Sequence, residues 1–103
     1  MSEFKGSIGP WEHYGPSGYQ HSMGGYVESG DGKVCDVSGF DVGSDKAKAN
    51  ARLIAAAPEL LEALQKLISD YDRYKSATLI EKTELETLPL KAARAAIAKA
   101  LGQ

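Results

Sequence analysis

The stretch Ala49-Asn50-Ala51-Arg52-Leu53-Ile54-Ala55-Ala56-Ala57-Pro58-Glu59-Leu60-Leu61-Glu62-Ala63-Leu64 decides how this chain folds. Alanine, leucine, arginine and glutamate are good helix formers, so the run predicts helix on both sides of Pro58. Proline lacks a backbone N–H, and its ring clashes with the carbonyl four residues back. It also pushes Ala57 away from helical geometry. A helix capped by the side chain of Ser44 or Asp45 is therefore expected to break or kink sharply at Pro58, which can open the next helix at its favoured first position. Beyond it, Leu60, Leu61, Leu64, Leu67, Ile68 and Tyr71 recur at helical spacing and predict one apolar face. Glu62 and Lys66 form an i,i+4 pair of helpful polarity. Residues 72–88 turn polar, with Thr78, Thr83 and Thr87 weakening the helix and Leu79, Ile80, Leu85 and Leu88 as anchors. A last helix is expected from Pro89 to Leu101, with Leu90, Ala93, Ile97 and Leu101 inward and Gly102 as its stop.

Upstream the character changes. Residues 1–44 hold ten of the eleven glycines and no alanine, and their net charge is −4, whereas residues 45–103 carry +2. Residues 1–10 read as a loose arm and 11–43 as a small sheet. Trp11 to Tyr14 suggests a short strand, and Gly-Pro-Ser-Gly at 15–18 is turn chemistry. Gly25–Glu28 and Lys33–Val37 suggest two strands joined through Ser29-Gly30-Asp31-Gly32, where Gly30 and Gly32 permit positive φ and Asp-Gly signals a hairpin. In the second of these strands, alternation puts Cys35 and Val37 on one face and Val34, Asp36 and Ser38 on the other. The expected fold is α+β: a Gly-rich antiparallel sheet of two or three strands packed on a layer of two to three helices (residues 44–103), in a single domain spanning 1–103.

Composition narrows the function classes. At 103 residues the chain is about one domain long, with a thin stability margin that makes a homo-oligomer an expected partner state. No apolar run approaches the length of a membrane span, and Met-Ser-Glu-Phe-Lys-Gly is not a secretory leader. A lone cysteine, Cys35, fits a cytoplasmic setting. The net charge of −2 offers no dense basic face, so nucleic acid is not an expected partner.

Together, the run at 49–64 and the Gly9-Pro10-Trp11 near the N-terminus resemble small accessory proteins of tailed bacteriophages and prophages. That resemblance implies a phage origin, and a host bacterial cytoplasm as the place of action. It does not imply a reaction.

Six rings, Trp11, His13, Tyr14, Tyr19, His21 and Tyr26, fall within sixteen residues, among glycines that would let a ligand approach the backbone. One reading is a pocket for a planar, polar molecule. The other is that tyrosines cover a small sheet and that Trp11 plugs the gap between sheet and helices. Asn50 and Arg52 fall in the opening turns of the helix that starts near Asp45, where free N–H groups suit an anion. Against this, Asp45 would repel an anion, Gly43-Ser44-Asp45-Lys46 is no P-loop, and Arg52 could simply face water. The candidate ligand-binding residues are thus Trp11, His13, Tyr14, Tyr26, Asn50 and Arg52. His13, His21 and Cys35 lack metal-ligand spacing, so no metal or other cofactor is expected. A Cys35–histidine nucleophile has no supporting motif, and Glu84 and Glu86 sit in a polar stretch, so no catalytic residue is expected and the chain is read as a non-enzyme. By analogy with phage proteins that sequester nucleotide immune signals, the first functional expectation is sequestration of a nucleotide-type ligand. The alternative is a phage protein that inhibits a host defence or regulatory protein through its amphipathic helix or its sheet.

Overall fold

Alternation of large apolar and polar residues with glycine-rich turns builds the first half of the molecule, as a computed structural model describing residues 3–15, 23–77 and 88–103 shows. Strands β1 (Glu12–Tyr14), β2 (Tyr26–Ser29) and β3 (Gly32–Asp36) form an antiparallel sheet in the order β1-β2-β3. They are followed by α1 (Ser44–Ala55), α2 (Ala57–Ala77) and α3 (Leu88–Ala100). The fold is α+β, as the sequence predicts. Tyr19, His21, most of the turn at 15–22, and the stretch 78–87 with Leu79, Ile80, Leu85, Glu84 and Glu86 lie outside the described residues.

The chain groups into two compact units, Lys5–Glu59 and Leu60–Gln103 together with its first four residues. In the first, α1 packs over β1 and β2. Val27, Val37, Ala47 and Ala51 form its buried centre, with Trp11, Val34, Cys35, Ile54 and Ala55 around them. The alanines matter because they let the helix backbone come close. A Cβ on Gly24 would stand 2.6 Å from the Ala47 carbonyl oxygen and 2.8 Å from the Val37 side chain, so only glycine fits between helix and sheet. The next residue, Gly25, has a φ of 85°, and a Cβ there would run into the Tyr14 carbonyl. Reciprocal bonds from Gly24 N–H to Val37 O (3.0 Å) and from Val37 N–H to Gly25 O (2.9 Å) extend the β2–β3 pairing past the strand ends.

Register explains one departure from simple alternation. Val27 pairs with Cys35, yet Glu28 pairs with Lys33, which leaves Val34 as an extra residue in β3. This bulge turns Val34 toward the core beside Cys35, rather than to the outer face with Asp36 as alternation alone predicts. The hairpin is a two-residue loop at Gly30–Asp31, because Ser29 pairs with Gly32. Ser29 Oγ accepts from Asp31 N–H (3.1 Å) and donates to Gly32 O (3.2 Å). Only Gly32 of the two turn glycines takes a positive φ, 133°.

The cap of α1 also differs from expectation. Neither Ser44 nor Asp45 caps it; Gly43 does, with φ 89° and ψ 165° and no side-chain bond. That backbone region is nearly closed to other residues, so backbone conformation takes the place of a capping hydroxyl or carboxylate. Asp45 still sits in the first turn, where the helix dipole favours it.

Pro58 does break the helix. α1 ends at Ala55, Ala56 donates to Arg52 O (3.1 Å), and α2 begins at Ala57 with Pro58 at its second position. A Cβ on Gly9 would come within 2.9 Å of Pro58 Cβ, so the Gly9-Pro10-Trp11 segment, with a cis Gly9–Pro10 bond, lies against the helix break. The two motifs that stand apart in the sequence thus meet in space.

In the second unit α2 continues past Tyr71 to Ala77, and Arg94 of α3 grips Asp72 of α2 through two bonds of 2.8 and 3.4 Å. Lys66 pairs with Asp70 (3.3 Å), not with Glu62. α3 ends as its glycine requires: Gly102, at φ 79°, donates to Lys99 O while Gln103 donates to Ala98 O, a Schellman closure.

Gly24→Ala is expected to cost about 1–3 kcal/mol by overpacking, read as a lower urea midpoint with an unchanged slope. Gly30→Ala, whose Cβ would meet nothing within 4 Å, should leave the midpoint nearly unmoved. Equal midpoints for the two variants would contradict the close approach of α1 to the sheet.

Candidate functional site

Pairing across the sheet assigns each ring a face. His13 and Cys35 pair with Val27 from its two sides, and the three point to the core, under α1. Glu12, Tyr14, Tyr26, Glu28, Lys33 and Asp36 therefore share the opposite, outer face. The candidate ligand residues accordingly fall in three places. Trp11 packs half-buried against the core cluster, and its Nε1–H donates to Ser7 O at 3.0 Å. His13 Nε2–H donates to the Gly24 carbonyl at 2.8 Å, on the inner face. Tyr14 and Tyr26 stack on the outer face with ring centroids 5.3 Å apart and planes 22° apart.

Asn50 and Arg52 are exposed on α1, and Arg52 lies in its last turn rather than among the opening N–H groups. The helix N-terminus and Arg52 therefore do not converge. They also lie across the sheet from the tyrosine pair. Alternation along β1 carried the separation of His13 from Tyr14; only the register shows that Tyr14 and Tyr26 touch.

The outer face has its own electrostatics. Glu12 stands directly opposite Glu28, and Glu28 is followed across the sheet by Lys33. The Lys33 ammonium, however, is held by Asp36 at 3.2 Å and lies 5.2 Å from the Tyr26 ring centroid. Among the described residues, no cation is paired with Glu12, Glu28 or Asp31. These three carboxylates, with Tyr14, Ile8 and Pro10, line a cavity of about 430 Å³ at the end of the sheet nearest the hairpin. Glu12, Glu28, Asp31, Ile8 and Pro10 are site residues that sequence reasoning missed. The like-charged Glu12–Glu28 pairing becomes visible only once the strands are in register.

Chemistry of the nucleophilic kind finds little support in the geometry. Cys35 and His13 share a face but are two strands apart, about 10 Å at ordinary strand spacing. Burial, and then the neighbouring Asp36 charge, push the Cys35 thiol above its ordinary value. Among the described residues, no three His, Cys, Asp or Glu side chains are placed to hold a metal ion, and no helix is long and apolar enough to cross a membrane.

Because the thiolate is the reactive form, alkylation of Cys35 by iodoacetamide is expected to lag that of a free cysteine peptide near neutral pH. Its rate should climb to half-maximum at a higher pH than the peptide's. A midpoint below the peptide's would contradict the environment described.

No curated protein and no solved structure matches the chain. A family match does, over residues 1–103 and thus across both motif segments, and the chain belongs to the phage protein family described as Salmonella phage P22 protein Y8K6.

Proposed function

We propose that this phage protein is a non-enzymatic binding protein that acts in the infected cell by engaging a host defence or regulatory protein through the outer face of its sheet. The observation that supports this reading best is the pairing of Glu12 with Glu28 beside Tyr14, with no cation between them among the described residues. Like charges directly opposite on paired strands destabilise a sheet. A partner's arginine or lysine would relieve that repulsion. The carboxylates would accept its N–H groups, and Tyr14 would offer its ring to the cation. Ile8 and Pro10 supply apolar contact at the rim of the same cavity.

A nucleotide immune signal is the second reading, favoured by one observation: the stacked Tyr14–Tyr26 pair could carry a base. Its phosphates would then meet Glu12, Glu28 and Asp31, while Lys33 is already engaged by Asp36. The protein partner is preferred for that reason.

A photo-crosslinking phenylalanine analogue at Tyr14, expressed in infected, defence-carrying cells, tests the choice. The expected result is one host protein captured through a segment containing arginine or lysine. Capture should be lost when Glu12→Lys and Glu28→Lys are combined, with the melting temperature no lower. Capture that survives this double charge reversal would contradict the reading. So would native mass spectrometry that finds a nucleotide released on denaturation.

A further inference from the structure

We propose that the cavity at the hairpin end of the sheet's outer face takes an arginine side chain of the partner protein in preference to a lysine. The inference rests on the reading that a cationic segment engages this face, and it names the cation. A volume of about 430 Å³ is that of a small-ligand pocket rather than the seat of a single ion. Its lining is mixed. Ile8, 78% exposed, and Pro10 form an apolar rim, Tyr14 offers an exposed ring, and Glu12, Glu28 and Asp31 supply carboxylates. The matching occupant has an apolar stem and a cationic head. Arginine and lysine both carry such a stem, so the head decides.

The carboxylates come from separate elements: Glu12 from β1, Glu28 from β2 and Asp31 from the hairpin loop. Glu12 and Glu28 stand directly opposite each other, where the Cβ atoms of paired residues lie about 4.5–5.5 Å apart. A guanidinium spreads its N–H groups around one plane and can bond two neighbouring carboxylates at once. An ammonium is a compact point charge. Tyr14 adds a second criterion. Tyr26 stacks on it at 5.3 Å, and the Tyr14 residue is still 46% exposed. A planar, weakly hydrated guanidinium lies against such a ring more readily than a strongly hydrated ammonium does. Lys33 shows how this face treats an ammonium. It pairs in register with Glu28, yet its Nζ turns to Asp36 at 3.2 Å, where both side chains stay open to water. The one lysine on this face therefore does not serve the cavity's carboxylates.

Nuclear magnetic resonance titration of the full chain with N-acetyl-arginine amide and, separately, with N-acetyl-lysine amide tests it, read at the Tyr14 ring and the Glu12 and Glu28 amides. The arginine probe is expected to move these signals with a Kd at least about fivefold below that of the lysine probe. Glu28→Gln should weaken arginine binding, and Tyr14→Leu should bring the two probes to within about twofold of each other. Both positions lie on the outer face, so the amides of Ala47 and Ala51 should keep their shifts. A ratio of two affinities is also insensitive to a general loss of folded protein. Lysine binding as tightly as arginine would overturn the assignment and leave the cationic partner standing. So would an arginine preference that neither substitution changes. If neither probe moves the signals, the assignment falls; if adenosine monophosphate moves them instead, the reading of a cationic partner falls with it.

Discussion

The close approach of α1 to the sheet at Gly24 is the constraint on which the first half of the molecule depends. Two glycines in succession, one squeezed against the Ala47 carbonyl and one at positive φ under the Tyr14 carbonyl, allow β1, β2 and α1 to share one small core. Ala47 and Ala51 are fully buried, and Val27 is the one large side chain completely enclosed among the described residues. A core this small gains little from area alone. It relies on fit, and on Trp11, which adds a large ring at its edge and satisfies its own N–H locally through Ser7.

That constraint also divides the sheet. Once α1 occupies the face of Val27 and Cys35, everything of opposite parity is left outside: two carboxylates facing each other, two stacked tyrosines and a lysine held by Asp36. The outer face contributes little to the core and bears a like-charge pairing that folding alone does not favour. The family relationship places the chain among phage proteins. Carboxylates outnumber cations on this face, so it is electronegative.

Much of this was legible in the residues. The helix break at Pro58, a sheet of short strands, a hairpin within Ser29–Gly32 and the stop at Gly102 each follow from a local rule, and each is present. What alternation and composition miss is set by contacts distant in sequence. Val34 faces the core because of a bulge that only pairing with β2 defines. Gly43 caps α1 through its backbone, where a nearby serine and aspartate made a side-chain cap the natural expectation. The ring cluster looked like one pocket because sequence proximity ignores which side of a strand each ring takes; Trp11 and His13 face inward, and Tyr14 and Tyr26 outward. Arg52 appeared close to a helix N-terminus, but the helix is short enough that it belongs to the last turn.

Native-state amide hydrogen exchange addresses the central claim most directly, because it reads the sheet and α1 separately in the intact chain. If the Gly24 contact locks them into one cooperative unit, the amides of Gly24 and Val37, which bond across the strand ends, will exchange with the same opening free energy as Ala51 in α1. That value will equal the global stability. Gly24 and Val37 amides that exchange orders of magnitude faster than Ala51 would contradict the account, because the helix would then hold its own structure without clamping the sheet.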